Sequence, residues 1–329
     1  MSASTKPLLE VRDLAVRFEL PKAGLFAPKR HFHAVRGVSF AVPQGRTLGI
    51  VGESGSGKTT TAMAAIRLRP ADGGQVLLDG RDILKLTQDE LRRARRDFQI
   101  VFQDPYSSLN PRERVGSIVR EPLDLMKVGE PGEERNERVR ELFSLVGLRD
   151  DQIALFPHQF SGGQRQRVSI ARALATNPRL VVCDEPVSAL DVAIQAQILN
   201  LLRRLQDELG LSYLFISHDL GVVQFICDEI AVMYLGRIVE YAPRADLFRT
   251  PRHPYTASLL AAAPSLSRRK SAGYRRVSAV RGDPPSPFNI PPGCAFASRC
   301  PNAQTRCREE EPVLRQFGEG RVACHFPLD

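Results

Sequence analysis

Apolar residues along this chain gather into short unbroken runs, each closed by polar or turn-forming residues. The runs are "RTLGIV" (46–51), the stretch ending in "IVFQ" (100–103), "RLVVC" (179–183) and "SYLFIS" (212–217). A short continuous run bounded by turn signals predicts a strand buried on both faces, as in a parallel sheet. Between the runs the period changes. "TTTAMAAIRL" (59–68), "EERNERVRELFSLVGL" (133–148) and "QRQRVSIARALA" (164–175) read as helices, while "LEVRDLAVRF" (9–18) reads as a strand. Strands alternating with helices predict an α/β fold with a mostly parallel sheet. After about residue 240 the pattern breaks. "PPSPFNIPPG" (284–293) cannot continue a helix or a central strand and predicts an irregular tail.

The turn after the first run carries the clearest chemistry. Gly52-Glu53-Ser54-Gly55-Ser56-Gly57-Lys58-Thr59 fits G-x-x-x-x-G-K-[ST] at every position, between an expected strand and an expected helix. A ligand-free glycine turn is the alternative, and both spacing and context speak against it. Gly52, Ser54, Gly55, Ser56 and Gly57 would wrap phosphate with backbone N–H groups, with Thr60 beside them. Lys58 would neutralise the β- and γ-phosphates, and the Thr59 hydroxyl would ligate Mg²⁺.

Hydrolysis needs a further magnesium ligand and a group that orients water. Asp184 and Glu185 close the run at 179–183, at the C-terminal edge of the strand, where open α/β sheets bind ligands. Asp184 is assigned to Mg²⁺ and Glu185 to the general base. His218 follows the last run and can donate a hydrogen bond to a γ-phosphate. The Gln103 amide can reach Mg²⁺ or the attacking water. A second glycine turn, Ser161-Gly162-Gly163-Gln164, opens a helix and has the layout of another anion grip.

Composition adds limits. The chain has 329 residues, 43% hydrophobic and 25% charged, enough for one large domain and an appendage. No run of 18 or more apolar residues occurs, and "MSASTKPLLEVRDL" lacks the order of a signal peptide, so a cytosolic chain is expected. The formal charge of +9 is spread along the sequence, and "LRRARR" (91–96) reads as a solvated helix face; no nucleic-acid partner follows from it.

The ordered set GESGSGKT, VFQDP, FSGGQRQR, VVCDEP, SALD and ISHD resembles the nucleotide-binding subunit of ATP-binding cassette (ABC) transporters. The resemblance implies a RecA-like phosphate-loop core with an antiparallel β subdomain and a helical subdomain at about 104–177, the whole ATPase occupying 1–240. It makes Gln103 the Q-loop residue, Ser161 to Gln164 the signature, Ser188 to Asp191 the D-loop, with Asp191 near nucleotide, and His218 the switch histidine. Phe18 is similar in position to the aromatic that stacks on adenine, with Phe32 competing. It also explains the second glycine turn, since in this family two cassettes pair head to tail and each signature closes over its partner's ATP. "CDEPVSALDVAIQAQILNLL", "MYLGRIVE", "PRHPYTASLLAAAP" and "PPGCAFASRCP" resemble the ATPase subunits of oligopeptide and dipeptide importers, whose C-terminal region would be 241–329. Implied partners are a second, different ATPase subunit, two integral membrane permeases and, indirectly, a solute-binding protein, at the cytoplasmic face of the inner membrane. Peptide is the implied solute, with nickel or another small solute left open. A DNA-associated ABC ATPase is disfavoured, because the interval from Lys58 to Ser161 is too short for a coiled coil and has no cysteine.

Of the six cysteines, Cys183 and Cys227 sit in apolar contexts and read as core residues. Cys294, Cys300, Cys307 and Cys324 crowd the proline-rich tail with spacing C-x₅-C-x₆-C-x₁₆-C. Disulfides are disfavoured where thiols stay reduced, so a metal staple is expected. Peptide-importer ATPases of this kind can carry a four-iron cluster there. [4Fe–4S] is therefore the expectation, with Zn²⁺ as the alternative and free thiols as the plain reading.

Overall fold

The computed structural model describes residues 6–20, 30–262, 285–286 and 288–329. Residues 21–29, and Pro284 and Pro287 of the proline-rich stretch, lie outside the described residues. In chain order the strands are β1 (Pro7–Leu20), β2 (Arg30–Pro43), β3 (Thr47–Val51), β4 (Gly73–Leu78), β5 (Arg81–Asp82), β6 (Phe98–Val101), β7 (Leu180–Asp184), β8 (Ser212–Ser217), β9 (Glu229–Tyr234), β10 (Arg237–Pro243), β11 (Arg315–Phe317) and β12 (Gly320–Val322). The helices are α1 (Lys58–Ala65), α2 (Gln88–Ala94), α3 (Pro105–Ser108), α4 (Val115–Met126), α5 (Glu133–Val146), α6 (Gly162–Leu174), α7 (Val192–Leu209), α8 (Leu220–Ile226), α9 (Arg244–Arg249), α10 (Pro254–Ala262) and α11 (Thr305–Glu309).

The chain divides into two compact units that interleave in sequence. One takes 1–8, 42–46 and 85–215; the other takes 9–41, 47–84 and 216–329.

In the first unit β6 and β7 pair in parallel, from Phe98↔Leu180 to Val101↔Cys183, and β8 lies on the other side of β7. Every residue of β7 and β8 is buried, as unbroken apolar runs require. The helices fall where the periodicity places them. α5 buries Val139, Leu142, Phe143 and Val146 at helical spacing and ends on Gly147, whose φ of 73° only glycine adopts readily. α2 begins with a Thr87/Glu90 capping box, and its Arg92, Arg93 and Arg96 neighbours are exposed, as the basic run predicts.

The second unit holds an antiparallel sheet of order β2-β1-β4-β5, in which Leu9↔Leu78 and Val11↔Val76 set the register of β1 on β4. It also holds strands in the order β11-β12-β10-β9-β3. β3 and β9 are parallel from Leu48↔Glu229 to Val51↔Val232, whereas β9 and β10 form a hairpin. The tail is less irregular than expected. β11 and β12 make a tight hairpin around Gly318 (φ 58°), and β12 adds to β10 through Glu240↔Val322 and Tyr241↔Arg321. Strands of three residues carry too few positions for a period to register in the sequence. Glu240, 2% exposed, accepts the Arg252 and His253 N–H groups at 2.8 Å each; its burial raises its pKa despite those bonds.

Candidate functional site

In the second unit the phosphate loop joins β3 to α1. Lys58 is 5% exposed, and its Nζ donates to the Gly52 and Glu53 carbonyls at 2.9 Å each. Gly57 caps α1 at φ 101°, and a Cβ there would stand 2.3 Å from the Ala34 carbonyl oxygen. A Cβ on Gly52 would meet the Met233 carbonyl oxygen at 2.2 Å. These two glycines are thus required by the loop's own backbone neighbours. Gly55 differs: at φ 77° its Cβ would meet nothing within 4 Å, so the loop is open on that side. Ser54, Gly55 and Thr59 are exposed, Thr60 is half-buried and Ser56 is buried. His218 is exposed where β8 ends, one residue before Asp219, which caps α8 by accepting from the Gly221 and Val222 N–H groups.

The two aromatic candidates for adenine stacking lie together. The Phe18 and Phe32 rings are stacked with centroids 6.0 Å apart, and the Arg69 guanidinium lies 4.4 Å from the Phe18 centroid.

In the first unit Asp184, 3% exposed, ends β7, and Glu185 follows at φ 46°. That left-handed conformation is unfavourable for a side-chain-bearing residue. It is held by the Glu185 carbonyl, which accepts from the Ser188 N–H at 3.2 Å and from the Ser188 hydroxyl at 3.1 Å. Gln103 Nε2 donates to Glu185 Oε2 at 3.2 Å, which joins two residues singled out independently in the sequence. Strain of this kind persists where the surroundings over-determine it.

The second glycine turn lies in the same unit. Ser161 caps α6 in a capping box: its Oγ accepts from the Gln164 N–H at 3.3 Å, and Gln164 Oε1 accepts from the Ser161 N–H at 3.0 Å. Gly162 is half-buried. Gly163 packs so closely on α7 that its Cβ would stand 2.5 Å from Ile194 Cγ2. Asp191 caps α7 by accepting from the Ile194 N–H at 3.0 Å. Signature and D-loop candidates therefore meet through the first turns of two helices.

In the tail, Cys294, Cys300, Cys307 and Cys324 line one small cavity with His253, Phe296 and His325. Burial pushes the Cys294 and Cys324 thiols up to about 11, and the Cys300 thiol is raised by the same cause. Among the described residues no group of three or more His, Cys, Asp or Glu is placed to hold a metal ion, so the iron–sulfur expectation is not established. Cys183 and Cys227 are buried in the core as expected, and Cys227 packs against Gly49 of β3. No helix among the described residues is long and apolar enough to cross a membrane.

Arg299 escaped the sequence reading. It pairs with Glu53 of the phosphate loop across a separation of 246 positions, and no local pattern links the two.

Comparison with known proteins places these motifs in context. Residues 35–188 match the family model described as ABC transporter, and 239–307 match the oligopeptide/dipeptide transporter C-terminal region. The chain is 47% identical over 328 residues to the oligopeptide transport ATP-binding protein AppF of Bacillus subtilis, covering 99% of each chain. It is 47% identical over 324 residues to the dipeptide transport ATP-binding protein DppF of Escherichia coli, covering 98% of this chain and 95% of that one. Among solved structures it is similar to the dimeric bacterial ABC transporter cassette MJ0796, with a TM-score of 0.64 and 30% identity, over 72% of this chain and 98% of that one.

Proposed function

The chain belongs to the ATP-binding proteins of ABC transporters, in the group bearing the oligopeptide/dipeptide C-terminal region, and from that premise we propose that it hydrolyses ATP to drive uptake of peptides. The observation that carries the reading is likeness over nearly the whole length, tail included, to proteins named for oligopeptide and dipeptide transport.

Lys58 holds the β- and γ-phosphates in this reading, with the loop open on the side of Gly55 and Thr59 exposed beside it. By the motifs they occupy, Thr59 in one unit and Gln103 and Asp184 in the other would each offer oxygen to Mg²⁺, donors suited to a hard cation that would neutralise phosphate charge. Glu185 takes the proton from the attacking water, its carboxylate oriented by the Gln103 amide. His218 donates to the γ-phosphate. Ser161, Gly162, Gly163 and Gln164, with Asp191, act on the ATP of a paired subunit, which we take to be a different ATPase of the same importer. Loss of the γ-phosphate contact then loosens the pair, and the movement passes to two membrane permeases at the cytoplasmic face of the membrane.

The tail cysteines are assigned to a [4Fe–4S] cluster of structural role. The support for this reading is that all four thiols line one small cavity, sulfur being the donor a soft metal takes, although no three of them stand placed for an ion among the described residues; zinc is the competing occupant.

The test is co-purification with two integral membrane proteins followed by reconstitution in vesicles with ATP inside. ATP-dependent accumulation of a labelled dipeptide is expected. ATP-dependent uptake of nickel without peptide would move the solute assignment, and failure to associate with any permease would sink the transport reading.

A further inference from the structure

Glu53 puts a carboxylate one position after Gly52, in a loop built to hold an anion that a free carboxylate would repel. Its charge is not left open. Arg299 Nη1 donates to Glu53 Oε2 at 2.9 Å and Nη2 to Oε1 at 3.0 Å, a bidentate fork. The Arg299 side chain is 8% exposed and that of Glu53 29%, so the pair is screened far less than a surface ion pair. Two tyrosines complete the arrangement. Arg299 Nη1 reaches the Tyr234 hydroxyl at 3.3 Å, and the Glu53 backbone N–H donates to the Tyr255 hydroxyl at 2.9 Å. Phe296 packs edge-on against Tyr234, with centroids 5.5 Å apart, and lies 5.4 Å from Tyr255.

The other end of this arrangement is the cysteine-bearing turn. Arg299 stands between Cys294 and Cys300, and its N–H donates to the Phe296 carbonyl at 3.0 Å. The Cys294 N–H is fixed on the Cys307 carbonyl at 2.7 Å. Gly293 beside it has no room for a Cβ, which would stand 2.4 Å from that same carbonyl oxygen. Whatever holds this turn therefore holds the guanidinium on Glu53.

We propose that Arg299 is a positioning residue for nucleotide binding: it neutralises and clamps Glu53, so that the phosphate loop accepts ATP only while the cysteine-bearing turn of the tail is folded against it. The proposal rests on the reading of the loop as the ATP site. It deepens that reading by giving the tail a route to the nucleotide. Arg299 acts through Glu53.

The experiment is titration of the full-length protein with a fluorescent ATP analogue and Mg²⁺. Arg299→Met keeps a long unbranched side chain and removes the charge. An unpaired, partly buried carboxylate beside a triphosphate weakens affinity by about tenfold or more. Glu53→Gln leaves the arginine uncompensated, and about two- to threefold tighter binding is expected. The double variant Glu53→Gln/Arg299→Met is expected to recover most of the loss, which a merely structural role for Arg299 would not produce. Arg299→Lys keeps the charge without the fork, so its loss should be smaller, and it carries the test if the methionine variant does not fold. Wild-type affinity in both Arg299 variants, or a double variant as weak as the Arg299 variant alone, overturns the proposal. Lys58→Ala is run in parallel: if it binds nucleotide as wild type does, the reading of the loop itself fails, whatever Arg299 does.

Discussion

Replacing Glu185 by glutamine, alanine and glycine separates the chemistry assigned to this residue from the backbone conformation it holds. Its φ of 46° is left-handed, and any residue with a Cβ is penalised there by about 1–2 kcal/mol. Glutamine and alanine retain that penalty; glycine removes it but loses roughly 0.4–1 kcal/mol through the greater freedom of its unfolded chain. Glu185→Gly should therefore be about 0.5–1 kcal/mol more stable than Glu185→Ala, a difference of roughly 1–3 °C in Tm for a chain of this size. Glu185→Gln keeps a side chain that can meet the Gln103 amide and should unfold within about 0.5 kcal/mol of wild type. All three remove the base and should hydrolyse ATP about 10²–10⁴-fold more slowly while still binding it, a loss of roughly 3–5 kcal/mol at the transition state. Scanning calorimetry and phosphate release at saturating MgATP supply both readouts. A glycine variant no more stable than the alanine one would refute the strain argument. Hydrolysis by Glu185→Gln within tenfold of wild type would refute the base assignment.

Ser161→Arg should lose about 1 kcal/mol of stability with its capping box, bind ATP on its own loop, and abolish hydrolysis of the partner's ATP in mixed dimers; loss confined to its own loop's nucleotide would reverse the head-to-tail assignment. Gly57→Ala places a Cβ at φ 101° and 2.3 Å from the Ala34 oxygen, so equilibrium titration should show nucleotide binding lost and thermal unfolding a drop of about 1–3 kcal/mol. Protein purified without oxygen should be brown, with about four irons and four sulfides per chain, whereas colourless protein with one zinc would replace the cluster by zinc.

Much of the site was legible because its chemistry is local. The loop Gly52–Thr59, the carboxylates closing β7 and the glycine turn Ser161–Gln164 each depend on neighbours a few positions away, and spacing alone announces them; that Ser161 and Gln164 cap each other came from the structure. The buried runs at 179–183 and 212–217 were equally plain, since a strand covered on both faces must be apolar throughout. The left-handed backbone of Glu185 was not legible, because the hydrogen bonds from Ser188 hold it against the residue's own preference. Nor was the Gln103–Glu185 contact, which spans 82 positions.

The sequence by itself determined the class of fold, the buried strands and helices that frame the motifs, and the identity of the nucleotide motifs, because burial period and a phosphate loop are written in short windows. It also determined that the proline-rich stretch 284–293 could not continue a helix or a central strand. Only the tertiary structure decided that β12 would add to β10, that the four tail cysteines would share a cavity, and that Arg299 would settle on Glu53. A three-residue strand takes its place from the open edge it meets, and a cavity from the turns that surround it. A buried ion pair takes its geometry from whichever distant segment packing brings alongside, and no local window encodes that meeting.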